Sequence, residues 1–105
     1  MTVQADLRRV LKRGKKEATA ENAVNRWCKE NHVPHRKLNG LGFAGWPDEM
    51  YPMPRGRMIF IEYKRAGEAP TELQWFVITM LRDRGFPVAI CYTKEAAVEF
   101  IKQYM

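Results

Sequence analysis

The sequence predicts an α/β domain: a mixed β-sheet flanked by helices, in the order α-β-β-β-α-β-α. Three observations carry that reading. Residues Arg57 to Lys64 alternate as a half-buried strand does, with Ile59, Ile61 and Tyr63 on one face and Met58, Phe60, Glu62 and Lys64 on the other. The triplet Pro54-Arg55-Gly56 ahead of it suits the turn of an antiparallel hairpin. Behind it, a helix and a short apolar strand, Pro87 to Tyr92, make a β-α-β unit whose crossover is expected to be right-handed, with parallel strands.

The elements follow in order. Val3, Leu7, Val10 and Leu11 recur at helical spacing, so the first sixteen residues form a short basic helix or arm ending near Gly14. A second helix is expected from Glu17 to Asn31, with Ala20, Ala23, Val24, Trp27 and Cys28 as its apolar stripe. Pro34 enforces extended backbone, and His35 to Asn39 reads as a short strand. Gly40, Gly42 and Gly45 mark a tight loop. Asp48 to Met53 is the first hairpin strand, the weaker of the two because it contains Pro52. Ala69-Pro70-Thr71 opens a helix to about Arg84, and Leu73, Phe76, Val77, Met80 and Leu81 are expected to be its buried side. Trp27, Trp75 and Phe76, at core spacing on helices, read as packing residues rather than base-stacking platforms. Arg82 and Arg84 suit the negative end of the helix dipole, and Gly85 stops the helix. Pro87 to Tyr92 reads as a strand covered on both faces. Thr93 caps a last helix that turns Ala96, Ala97, Phe100, Ile101 and Tyr104 inward.

Composition narrows the function classes. A chain of 105 residues holds one domain, and 46% hydrophobic with 29% charged residues excludes wholesale disorder. No apolar stretch approaches a membrane span, and the start of the chain lacks the apolar core of a signal peptide. Cys28 and Cys91 form no CxxC pair and fit a reducing, intracellular setting as small core residues. The net charge of +6 is unevenly spread. Residues 1–16 carry six basic side chains (Arg8, Arg9, Lys12, Arg13, Lys15 and Lys16) against Asp6 alone, leaving residues 17–105 nearly neutral. The expected organisation is a basic arm over 1–16 and a folded domain over 17–105. Such an arm grips phosphates without reading sequence.

The chemistry-bearing residues are Glu21, the Gly45-Trp46-Pro47-Asp48 tetrad, the Glu62-Tyr63-Lys64 triplet and Gln74. A hairpin would set Asp48 beside the Glu62 and Lys64 face, so two carboxylates and one ammonium converge. Hard oxygen donors of this kind suit Mg²⁺ or Mn²⁺, which activate water and neutralise charge on a scissile phosphate. Gln74 has a second reading, since Thr71-x-x-Gln74 is a capping box. Glu21 also reads as a plain surface carboxylate one turn after Glu17. Cys28, His32 and His35 give only three zinc-type ligands, interrupted by Pro34, and no zinc site is expected. His35 and Lys37 fit DNA contacts better, and Trp46, in a glycine-rich loop, is the one aromatic suited to stacking or subunit contact. Met50, Met53 and Met58 suit either an interface near the hairpin or core packing.

At these residues the sequence resembles the PD-(D/E)XK nuclease superfamily, and most closely its VRR-NUC (virus-type replication-repair nuclease) branch. The G-x-P-D of Gly45 to Asp48, the E-x-K of Glu62 to Lys64, the downstream Gln74 and the helical Glu21 match its pattern in order and spacing between about Glu17 and Tyr92. Ala44 and Trp46 depart from the residues that commonly flank Gly45 in the branch. The resemblance implies a restriction-endonuclease-like core and a metal held by Asp48, Glu62, the Tyr63 backbone carbonyl and Glu21. It gives Lys64 the water or the transition state, Gln74 the orientation of the site, and Lys37 a DNA contact. It further implies a homodimeric, structure-specific endonuclease similar to Holliday-junction resolvases, acting in DNA repair in a bacterial cytoplasm, with phages a common source. The alternative is a non-catalytic DNA-binding module that keeps the nuclease fold.

Overall fold

The computed structural model describes residues 19–38 and 44–105; the basic arm and Asn39 lie outside the described residues. Helix α1 covers residues 19–30, followed by β1 (Arg36–Lys37), β2 (Glu49–Met53), β3 (Arg57–Tyr63), α2 (Glu72–Asp83), β4 (Val88–Cys91) and α3 (Lys94–Lys102). The four strands form one mixed sheet in the order β1-β2-β3-β4. β1–β2 and β2–β3 are antiparallel, whereas β3–β4 is parallel, as the β-α-β reading requires. The hairpin turn at Pro54–Gly56 places Arg55 and Gly56 both at positive φ, 65° and 70°.

Strand alternation divides the core into two layers. Tyr51, Met53, Ile59, Ile61, Tyr63 and Cys91 pack with Val24 and Cys28 of α1 and Ala97 and Ile101 of α3. On the other face Phe60 and Val88 pack with Val77, Ile78 and Leu81 of α2, with Trp46, Met50 and Met58 alongside. Met53 is therefore a core residue, not an interface residue, because it shares the parity of Tyr51. Ala96 is exposed, since the tight face of α3 is carried by Ala97 and Ile101.

The expectation for α2 needs a correction. Its buried residues are Val77, Ile78 and Leu81, while Leu73, Trp75 and Phe76 are 52%, 41% and 69% exposed. The helix is apolar on more than one side, and its seating on the sheet turns the Ile78 side inward. Side-chain caps define where α2 and α3 begin. Thr71 and Gln74 form a reciprocal capping box at the start of α2, and Thr93 Oγ1 accepts the Ala96 N–H at 3.1 Å at the start of α3.

Candidate active site

The β2–β3 register pairs Glu49 with Ile61 and Met50 with Phe60. Carried one residue further, it sets Asp48 opposite Glu62 on the face shared with Met50 and Phe60. Past the end of the β2 ladder, Asp48 Oδ2 accepts the Tyr63 N–H at 2.8 Å, so the carboxylate takes the place of a strand carbonyl. The Asp48 carbonyl accepts the Leu38 N–H at 2.8 Å, which ties the same residue to the β1 side. In a strand the N–H and C=O of one residue point the same way, so the Tyr63 carbonyl opens toward Asp48. Glu62 is 2% exposed, and Lys64 continues the alternation on its side, anchored by its own N–H to the Cys91 carbonyl at 3.0 Å.

The Gly45-to-Asp48 loop is held by contact with α2. Gly45 has φ of +82°, and a Cβ there would stand 2.6 Å from Leu73 Cγ and 3.0 Å from the Leu73 carbonyl oxygen. Glycine is required both for that dihedral and for that approach. Pro47 is buried, and Trp46 packs edge-on against Phe60 with ring centroids 6.3 Å apart. Its ring thus joins the core layer beneath α2 rather than standing out as a stacking platform.

A second acidic group lies on the other side of the sheet. Glu49 alternates with Tyr51 and Met53 and is fully buried, its Oε1 3.0 Å from His35 Nδ1. Glu21, 8% exposed on α1, meets Glu49, and Lys37 Nζ stands 3.5 Å from Glu21 Oε2. Burial, then a hydrogen bond to Glu49 and repulsion from it, push the Glu21 carboxyl up to about 8, with Asp48 adding to the rise and Lys37 opposing it. Glu49 Oε2 is buried without a hydrogen-bond partner among the described residues, while Glu21 Oε2 faces the Lys37 ammonium. Two carboxylates can share a hydrogen bond only if one of them is protonated.

The structure thus sets Asp48 opposite Glu62 and keeps Glu21 within electrostatic reach of Asp48. Gln74 is held at the cap: its Oε1 accepts the Thr71 N–H at 2.9 Å, and its own N–H donates to Thr71 Oγ1 at 3.2 Å. Lys37 is paired with Glu21 yet 54% exposed, so its ammonium is also open to solvent. Cys28 sits in the core and His35 is engaged by Glu49, so the zinc-type spacing gathers no ligands. Sequence reasoning missed Glu49 and its histidine. The available signal was parity, because an acid in phase with Tyr51 and Met53 faces inward and requires partners.

A hard divalent cation is compatible with this donor set. Among the described residues no three His, Cys, Asp or Glu side chains are gathered tightly enough to hold a metal by themselves. Two carboxylates and a backbone carbonyl still match how Mg²⁺ is usually bound, with waters and substrate phosphate completing the octahedron.

The VRR-NUC domain model matches residues 5–95. The chain belongs to the VRR-NUC domain family. A solved structure titled "VRR_NUC domain" is similar at 25% identity and a TM-score of 0.73, covering 86% of this chain and 98% of its own. A second, titled "VRR_NUC domain protein", shares the fold at 21% identity and a TM-score of 0.70, covering 86% and 88%. No curated protein matches the sequence. The α/β order and mixed sheet are those of VRR-NUC structures, a nuclease-type fold, and VRR-NUC nuclease domains are generally dependent on divalent metal. No helix among the described residues is long and apolar enough to cross a membrane.

Proposed function

We propose that this VRR-NUC domain is a divalent-metal-dependent DNA endonuclease that hydrolyses phosphodiester bonds in branched or otherwise structured DNA as a homodimer. The observation that carries the reading is the placement of Asp48 opposite Glu62, with the Asp48 carboxylate held by the Tyr63 N–H. Two carboxylates at a phosphate-binding surface repel the substrate, so their pairing makes sense around a cation. In this reading Asp48, Glu62 and the Tyr63 carbonyl hold Mg²⁺ or Mn²⁺, and Glu21, on the inner side of the sheet within electrostatic reach of Asp48, binds the ion or positions water on it. When bound, that ion would lower the pKa of the attacking water and neutralise charge gathering on the phosphate.

The chain's own groups do the rest. Lys64 donates a hydrogen bond to the attacking water or to a non-bridging phosphate oxygen as the P–O bond to the leaving sugar oxygen breaks. Gln74 can serve cap and site together, because the cap occupies Oε1 and leaves the Nε2 donors to orient substrate. Lys37 reaches the backbone of the DNA from the exposed rim. The arm over residues 1–16, with Arg8, Arg9, Lys12, Arg13, Lys15 and Lys16, supplies the grip, and each phosphate contact on duplex DNA steepens the salt dependence by roughly 0.9 in log–log slope.

The test is cleavage of labelled duplex, flap and four-way-junction DNA with Mg²⁺ or Mn²⁺, comparing the wild type with Asp48→Ala and Lys64→Ala. Metal-dependent cutting of branched DNA that both substitutions abolish supports the reading. Equal activity in all three proteins refutes the site. DNA binding that survives EDTA, with no cleavage in any metal, makes the protein a binding module instead.

A further inference from the structure

The outer face of α2 is apolar and uncovered. Trp75 and Phe76 stand 41% and 69% exposed there, and with Met80 they line a groove of about 630 Å³. Large exposed apolar side chains gathered in one groove, rather than scattered, mark a surface that binds something. Glu72, in the first turn, lies at one end of the same groove, and Arg84, just past the last turn, lies at the other beside Asp83. A surface with acid at one end, base at the other and apolar residues between them complements itself when turned through a two-fold axis.

We propose that this face is the contact between two copies of the chain, packed through antiparallel α2 helices. With Phe76 of one copy against Met80 of the other, the next helical turn outward sets Glu72 of one copy against Arg84 of its partner. Both contacts occur twice, as two-fold symmetry demands. Asp83, the acid nearest the basic end, falls beside the partner's Leu73 in this register and opposes neither of the two Glu72–Arg84 pairs. The proposal deepens the homodimer named above and supplies its surface. It uses none of the groups assigned to the metal or the phosphate.

Sedimentation equilibrium without DNA or metal tests it, so the outcome does not depend on cleavage. The wild type is expected to be a dimer at micromolar concentration. Phe76→Asp should weaken association at least about 30-fold, as expected for a central aromatic anchor. Glu72→Arg and Arg84→Glu should each weaken it about tenfold or more, because each sets like charges together twice. Mixing those two variants should restore association, since the heterodimer has two Arg–Glu pairs, one in the native sense and one reversed. Helix content by circular dichroism confirms that each variant is folded. A monomeric wild type overturns the proposal, and so does a dimer indifferent to Phe76→Asp. Charge variants that fail to recover on mixing overturn the antiparallel arrangement. A monomer in which Phe76→Asp instead weakens binding to branched DNA would assign this face to nucleic acid and also overturn it.

Discussion

Asp48 and Tyr63 are joined side chain to backbone: the carboxylate Oδ2 of one accepts the N–H of the other at 2.8 Å, where the β2–β3 ladder runs out of strand partners. The bond fixes a carboxylate with the rigidity of a sheet. It also allows folding and chemistry to be tested separately. Asp48→Asn keeps an oxygen for the Tyr63 N–H, so stability should stay within about 1 kcal/mol of wild type. Cleavage should fall by at least about 100-fold, since even residues behind a metal ligand are worth 10–100-fold. Asp48→Ala leaves that N–H without its acceptor and should lose stability by about 1–3 kcal/mol as well. Urea denaturation alongside the nuclease assay separates the two variants.

Gln74 can be divided in the same way. Thr71→Ala and Gln74→Ala each break the capping box and should cost about 1 kcal/mol, a fall in Tm of roughly 4 °C or more. Gln74→Glu should keep the cap, because glutamate fills the same place in a capping box. If Gln74 also serves the phosphate, Gln74→Glu should melt like wild type and cut DNA more slowly. Wild-type activity in a fully stable Gln74→Glu would leave the residue as a cap alone.

Gly45→Ala should destabilise by about 1–3 kcal/mol, because it forces a Cβ onto a left-handed backbone and against Leu73. Leu73→Ala in the same chain should recover only part of the loss. It removes the side-chain clash but not the dihedral cost, nor the approach to the Leu73 carbonyl. Thermal melts of the two variants and the wild type check this. Loss of activity beyond the loss of folded protein would show that the loop positions Asp48.

Cys28 and Cys91 are buried, and burial raises both thiols to about 11, with Glu49 adding to the rise at Cys28. At pH 8 neither should react with Ellman's reagent until the protein is unfolded, when both should react at once. The sign of the linkage is fixed by the raised values. Below about pH 9, the ordinary thiol value, the two groups add no pH dependence. Between about 9 and 11 the unfolded chain loses its thiol protons first, so stability falls as pH rises. Cys91→Ala should flatten that fall, and denaturation midpoints across this range measure it.

Much of this was legible in the sequence. Alternation in β3 identified its two faces, because a strand packed on both sides must sort its side chains by parity. The hairpin that follows from it brings Asp48 to the Glu62 face. The orientation of α2 was not legible: Leu73, Phe76, Val77, Ile78, Met80 and Leu81 cover more than half its circumference, and periodicity cannot choose which side a sheet will take. Glu49 was hidden by its neighbour. The Pro-Asp motif marks position 48, while the deeper-buried acid is the next residue, pointing the other way.

The sheet register also sets an order of assembly. Asp48 and Glu62 meet across a hairpin, a local pairing of the kind that closes in about 1–10 μs. Glu21 arrives only when α1, far upstream, docks on the completed inner face, a contact of longer sequence separation and therefore slower. The segment bearing Glu21 leaves the ribosome first, yet local closure of the hairpin is expected to precede its docking. A nascent chain would therefore hold its paired acids first, and the third only once the core beneath them has closed.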